Sequence, residues 1–319
     1  MDYKELASKF RELLDKHRKV TVVSHIRPDG DTIGSTIALF NSLKLMGYQV
    51  ELLCQDRDLP LKFDFLNGFK RYKNEIGFRD SLVVALDCGE SKRAGFSLHG
   101  RVVVNIDHHM GNSRFGVLNI VEVEVATAAV LFKLLKEGFA MNKDIAEALY
   151  SALLSDSLNF TSTLVNRNTF DIASELLGYG LDPSYIAQMV NRRESLAHTR
   201  LIARAIDSLE LLVDATVAVM VITKEDRLAT GAKVSDIDGI VNFALNLVTV
   251  EIALLIVELD DRLKVSLRSK GKNVERVARS FGGGGHENAA GFEAKNVTIE
   301  ELKIKIIEKI KEEVEYEKS

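Results

Sequence analysis

Residues 24–35 read Ser-His-Ile-Arg-Pro-Asp-Gly-Asp-Thr-Ile-Gly-Ser and place His25, Asp29 and Asp31 in one short turn. Three further segments carry side chains of the same kinds. Leu-Asp-Cys-Gly-Glu (86–90) holds Asp87, Asn-Ile-Asp-His-His (105–109) holds Asp107, His108 and His109, and Ser-Ala-Leu-Leu-Ser-Asp-Ser (151–157) holds Asp156. Singly, each has a plain structural explanation. Asp-Gly at 29–30 forms turns, Asp29 or Thr32 can cap a helix, Asp87 can end a strand, and adjacent histidines can sit in a polar loop. Together they are another matter, because gathered carboxylates repel one another unless cations neutralise them. Mixed imidazole and carboxylate ligands suit Mn2+ or Fe2+ better than Mg2+ alone, and Zn2+ accepts them too.

A second chemical signal lies near the end of the chain. Gly282 to Gly285 precede His286 in the run Gly-Gly-Gly-Gly-His-Glu-Asn-Ala-Ala-Gly (282–291). Glycines let backbone N–H groups approach an anion and form a nest. A flexible linker is the alternative, but apolar residues flank the run on both sides. Upstream, residues 262–279 carry Arg262, Lys264, Arg268, Lys270, Lys272, Arg276 and Arg279 against one acid, Glu275. A solvated basic face explains several of these.

The elements needed to position such groups are legible as alternation. Residues 20–25, 48–54, 81–87 and 101–107 read as strands buried on both faces, separated by helical patterns. The expected first half is therefore a doubly wound, mainly parallel α/β sheet with helices on both faces, whose ligands bind at the carboxyl ends of the strands. His25, Asp87 and Asp107 fall at those ends. Residues 183–210 read as helical throughout, and 191–210 as a connector. From 211 the pattern restarts, with strands in 211–223, 250–259 and 262–269, and a closing helix over 298–318. A smaller α/β domain over 211–319 follows.

Bulk properties narrow the function classes. A chain of 319 residues favours two domains. A net charge of −4 disfavours a general nucleic-acid coat. No window is long and apolar enough for a membrane span, and the charged N-terminus does not read as a secretory signal. Two cysteines, Cys54 and Cys88, suit a reducing cytoplasm. A cytoplasmic protein with no membrane association is expected.

The motifs, taken in order from residue 20 to 295, resemble those of the DHH-family phosphoesterases, named for the triplet present here as Asp107-His108-His109. The resemblance is to their short, two-domain nanoRNase and pAp-phosphatase branch, which shares its core with longer exonucleases of the family. It implies a DHH catalytic domain (1–190), a helical linker (191–210), a DHH-associated substrate domain (211–319), and an active site in the cleft between the domains. It also implies two ions, Mn2+ by preference with Mg2+ or another divalent metal as substitutes. His25 and Asp29 bind the first ion, Asp31, His108 and Asp156 the second, and Asp87 bridges them across about 3.5–4 Å. Asp107 orients His108, and His109 faces the substrate phosphate. Arg268, Gly283, Gly284, Gly285 and His286 hold the substrate.

The implied reaction is hydrolysis of very short linear RNA or DNA oligonucleotides (nanoRNA, pApA, pGpG) to 5′-mononucleotides, with the 3′-phosphate of pAp as a further substrate. Long nucleic acids are not expected as partners, and a homodimer is left open. Two departures stand out. The family's Thr-Asp-Thr-Gly is replaced by Ser155-Asp156-Ser157-Leu158, which keeps the ligand and loses the glycine, and the basic residue that usually follows shortly after is missing from Asn159-Phe160-Thr161. Two rivals remain: an inorganic pyrophosphatase or exopolyphosphatase of the same family, and a non-catalytic nucleotide sensor.

Overall fold

In the computed structural model the chain divides after Arg193 into two compact units, and residues 1–316 are described. The first unit is built on six parallel strands: β1 (Lys19–Val23), β2 (Gln49–Leu53), β3 (Tyr72–Lys73), β4 (Leu82–Leu86), β5 (Val103–Asp107) and β6 (Leu118–Val121). Their order is β3-β2-β1-β4-β5-β6. β1 pairs in parallel with both β2 and β4, so the chain winds outward in two directions from the centre. This is the doubly wound order, and it opens a crevice beyond the carboxyl ends of β1 and β4.

One face of the sheet carries the long helices α1 (Tyr3–His17), α2 (Gly30–Leu45), α3 (Thr127–Leu135) and α4 (Lys143–Asp156). Phe10, Ile37, Leu131 and Leu149 pack there with Val20, Val22 and Val84 in one buried cluster. α5 (Arg167–Leu177) and α6 (Pro183–Asn191) extend that layer. The other face differs from expectation. Val23, Leu53, Val83 and Ala85 are covered by Ala94 and by Ile76, Phe96, Leu98 and Phe115, which lie in loops and a short 3-10 turn.

α2 and α4 cross at unusually close range because of two glycines one turn apart. A Cβ on Gly34 would lie 2.4 Å from the Ala148 carbonyl oxygen, and one on Gly30 2.2 Å from Ser155 Oγ. Only glycine permits that approach. It brings Asp31, at the start of α2, towards Asp156, at the end of α4.

The second unit holds the sheet β11-β12-β10-β9-β8-β7. Its strands are β7 (Glu210–Leu212), β8 (Val217–Ile222), β9 (Ile252–Glu258), β10 (Leu263–Ser269), β11 (Gly284–His286) and β12 (Ala289–Ala294). α10 (Val274–Ser280) and α11 (Ile299–Tyr316) cover one face. α7 (Leu196–Asp207) and α9 (Asn242–Leu245) cover the other, and α8 (Lys224–Thr230) follows β8. Among the described residues no helix is long and apolar enough to cross a membrane.

Several expectations are corrected. The continuous helix over 183–210 breaks at 192–195, where Ser195 caps α7 by accepting from His198 N–H at 2.9 Å. Leu201 and Ala205 of α7 are buried with Met220 and Ile222, which makes this helix part of the second unit's core. Residues 211–223 form a hairpin of two strands, β7 and β8, and not one. The glycine run is not an open loop, since β11 pairs antiparallel with β12. The closing helix is described to Tyr316, and positions 317 and 318 of its expected extent lie outside the described residues.

Candidate functional site

Each early strand delivers one side chain to the carboxyl edge, and each is locked by its local backbone. His25 follows β1 and holds its Nδ1 2.8 Å from the Ile26 carbonyl, which turns Nε2 inward. Asp29 caps α2, accepting from Thr32 N–H at 3.1 Å with Oδ1 and leaving Oδ2 for other partners. Asp87 follows β4 with φ at +59°, a left-handed conformation that costs a non-glycine residue roughly 1–2 kcal/mol. Aspartate tolerates this better than most residues, and the turn points its carboxylate at the histidines. His108 follows β5 and keeps Nδ1 2.9 Å from the Glu124 carbonyl.

The resulting cluster is tight. His25 Nε2 lies 3.3 Å from Asp87 Oδ2 and 3.6 Å from Asp29 Oδ2. His108 Nε2 lies 3.6 Å from both Asp87 Oδ1 and Asp156 Oδ2, and 4.0 Å from Asp31 Oδ2. Two groups, His25–Asp29–Asp87 and Asp31–Asp87–His108, are each placed to hold a metal ion, and Asp87 belongs to both. That answers the crowding of the 24–35 turn. Asp29 and Asp31, one residue apart, face different groups.

Burial pushes the Asp156 carboxyl up to about 7, with the charges of Asp29 and Asp87 adding to the rise. Burial and the neighbouring carboxylates also hold Asp31 well above the usual range. Burial alone would lower His108, but Asp156, Asp87 and Asp31 outweigh it and raise the imidazole to about 9. His25 is likewise raised against burial by Asp29 and Asp87. Without cations the site gathers protons to neutralise itself, so its donor set fits divalent metal.

The sign of the pH dependence follows. A carboxyl raised from 3.8 to about 7 stabilises the fold below pH 4, and this is lost as pH rises through 7. His108, raised from 6.5 to about 9, loses its contribution as pH rises through 9. The metal-free protein is expected to lose thermal stability from pH 5 to pH 9, and Mn2+ to raise Tm most at pH 9. Scanning calorimetry with EDTA and with Mn2+ across that range checks this, and a Tm gain that shrinks with rising pH would contradict it.

His109 and Asp107 form a separate pair beside the cluster. His109 Nδ1 lies 2.7 Å from Asp107 Oδ1 and 3.7 Å from Asp87 Oδ1. Asp107 is fully buried, and its other oxygen accepts from Asn112 Nδ2. The expected role of Asp107 is therefore corrected. It orients His109, whereas His108 is held by the Glu124 carbonyl.

Sequence reasoning did not find Thr127. Its N–H donates to Asp31 Oδ2 at 2.6 Å, Ala128 N–H donates to Asp31 Oδ1 at 3.1 Å, and the Thr127 hydroxyl donates to Asp87 Oδ1 at 2.9 Å. The available signal was a helix start without a cap: Ala126 occupies the cap position and has no side-chain acceptor. Those orphan N–H groups need a remote carboxylate. Thr127→Val is expected to weaken metal binding about 10–100-fold, as losses of such outer hydrogen bonds do, with Thr127→Ser restoring it. Calorimetric Mn2+ titration reads both.

Residues 19–153 match the model of the DHH family, N-terminal domain, and residues 214–315 match the DHHA1 domain. The chain thus carries a DHH-family N-terminal domain followed by a DHHA1 domain. A bifunctional oligoribonuclease and PAP phosphatase NrnA of Thermus thermophilus is 28% identical over 306 residues, covering 92% of this chain and 90% of that protein. Its Bacillus subtilis namesake is 25% identical, covering 84% and 86%. An exopolyphosphatase-related protein from Bacteroides fragilis superposes with a TM-score of 0.86 at 27% identity, over 96% of this chain and 95% of that one. This chain is thus a hydrolase of the DHH phosphoesterase kind.

In the DHHA1 domain, Arg268 sits on β10 between Ala253 of β9 and Ala289 of β12. These small neighbours leave the guanidinium room. Burial lowers its pKa, and the Asp238 carboxylate opposes that. Gly283 and Gly285 are required by packing. A Cβ on Gly283 would lie 2.2 Å from the Gly291 carbonyl oxygen, and Gly285 has φ at +150°. Gly284 meets nothing within 4 Å and, with His286, is exposed.

Proposed function

We propose that this DHH-domain protein is a Mn2+-dependent phosphodiesterase that hydrolyses very short linear oligonucleotides to 5′-mononucleotides and removes the 3′-phosphate of pAp. The observation that carries the reading is Asp87, shared by the groups His25–Asp29–Asp87 and Asp31–Asp87–His108, each able to hold a metal ion. His25, Asp29 and Asp87 would hold one ion, and Asp31, Asp87, His108 and Asp156 the other. When bound, two such ions polarise the phosphoryl oxygens and lower the pKa of water. The names of the relatives supply the substrate class.

The chain's own residues do the rest. The carbonyls of Ile26 and Glu124 fix the ring orientations of His25 and His108. Asp107 accepts from the Nδ1–H of His109, so neutral His109 presents Nε2 as an acceptor able to take a proton from water, and only the imidazolium, which Asp107 stabilises, donates from Nε2 to an oxygen of the scissile phosphate. Arg268, the backbone of Gly283 to Gly285, and His286 hold the 5′-phosphorylated nucleoside.

In this register pAp and pApA bind alike, because each carries phosphorus on the 3′ oxygen of a 5′-phosphorylated nucleoside. A panel of pApA, pGpG, pAp, longer RNAs and pyrophosphate, each with Mn2+ and with Mg2+, tests the proposal. Pyrophosphate turned over faster than pApA would overturn it in favour of the pyrophosphatase reading. No turnover of any substrate would favour the sensor.

A further inference from the structure

Three loops leave the carboxyl edge of the parallel sheet beside the carboxylate–imidazole cluster, and each carries an arginine. Arg27 follows β1, Arg93 follows β4 and Arg114 follows β5, and all three are exposed. The loops are tied into one rim. Ile26 N–H donates to the Arg93 carbonyl at 2.8 Å, and Ser113 N–H donates to the Gly89 carbonyl at 2.8 Å. The same rim carries Lys92, but that charge is paired with Glu90 at 2.6 Å.

The backbone adds a second, independent sign. Arg27 has φ at +56° and Arg114 at +50°. Each is held there by an acceptor on its own N–H: Asp56 Oδ2 for Arg27 at 2.6 Å, and Asn112 Oδ1 for Arg114 at 2.6 Å. Glycine or asparagine would adopt this conformation with less strain. Arginines kept in strained positions on strand-end loops, at the edge where α/β sheets bind ligands, suggest a role in function. Asn112 also donates to Asp107, which holds His109, so the loop that carries Arg114 is anchored to the site itself.

We infer that this rim is a second anion-binding surface, which takes the phosphates of an oligonucleotide on the 3′ side of the scissile bond. The inference rests on the proposed oligonucleotide activity and extends its substrates to chains longer than pApA, whose further phosphates reach the rim. The chain as a whole carries net charge −4, so three arginines around one crevice are a local feature. Arginine suits the role because its planar fork binds phosphate oxygens in pairs. Cleavage from the 5′ end leaves every remaining phosphate of a longer substrate on this side.

The test compares the full-length parent with Arg93→Ala/Arg114→Gly. Glycine at 114 removes the charge and relieves the backbone, so Tm is expected to be no lower than the parent's. For pApA, kcat/KM is expected to stay within twofold. For a 5′-phosphorylated tetranucleotide it is expected to fall about tenfold, and the slope of log kcat/KM against log salt to flatten by roughly 1.4, or 0.7 for each lost phosphate contact. Equal losses on both substrates, or none on either, would overturn the rim. Anisotropy of the labelled tetranucleotide in EDTA separates this from the activity reading. A parent that cleaves no pApA refutes that reading, while the rim still stands only if the parent binds the tetranucleotide more tightly than the variant.

Discussion

Asp87→Ala is expected to abolish turnover, by about three orders of magnitude or more, while the protein stays folded. Its carboxylate lies within 3.3–3.7 Å of His25, His108 and His109, and it is shared by the metal-capable groups His25–Asp29–Asp87 and Asp31–Asp87–His108. Losing it removes charge stabilisation at the phosphoryl oxygens worth several kcal/mol, and each 1.4 kcal/mol is roughly tenfold in rate. Despite burial, the hydrogen bond and charge of His25 and the charges of His108 and His109 hold this carboxyl far below the usual range. It is therefore ionised at any working pH. Asp87→Asn is the matched control, since asparagine tolerates the left-handed backbone and can still accept from Thr127. Both variants are expected to bind fewer than two Mn2+ ions by elemental analysis, with unchanged circular dichroism. Near-parent turnover of either variant at saturating Mn2+ would remove the two-ion assignment.

Arg268→Ala is expected to lower kcat/KM on pApA about 10–100-fold without reducing Mn2+ content. A charge-assisted hydrogen bond contributes roughly 1.5–3 kcal/mol, and Arg268 lies in the DHHA1 domain, whereas every proposed metal ligand lies in the first unit. Omitting the 5′-phosphate, by using ApA in place of pApA, is expected to cost a similar factor. The two losses should not add if Arg268 binds that phosphate, since removing either partner deletes the same contact. Fully additive losses would assign Arg268 to another part of the substrate. A drop in bound Mn2+ would place it in the wrong site altogether.

Much of this was legible in the residues. Apolar runs buried on both faces declared the parallel sheet, because only a covered sheet tolerates them. The placement of His25, Asp87 and Asp107 at the ends of such runs declared its functional edge. The assignment of Asp29 and Asp31 to separate ions came from the family resemblance, because two carboxylates in one helix start do not by themselves show which partners they face. The glycine run was visible too, but its reason was not. Gly283 and Gly285 are required by close packing against β12 in a tight hairpin, a pairing that composition does not encode.

Side-chain partnership was decided by tertiary structure. The triplet Asp107-His108-His109 gives no indication of which histidine the aspartate serves. The choice of His109 arises because the loop around Glu124 folds back and occupies His108 Nδ1 first. Thr127 is separated from Asp31 by 96 positions and from Asp87 by 40, so local pattern carries no trace of it beyond an uncapped helix. The same holds for Gly30 and Gly34, whose purpose appears only when α4 is laid across α2. Residue types and local periodicity determined which groups were available and at which edge of the sheet they emerge. Their partners were set by long-range packing, where the distance between two atoms depends on every element that lies between them.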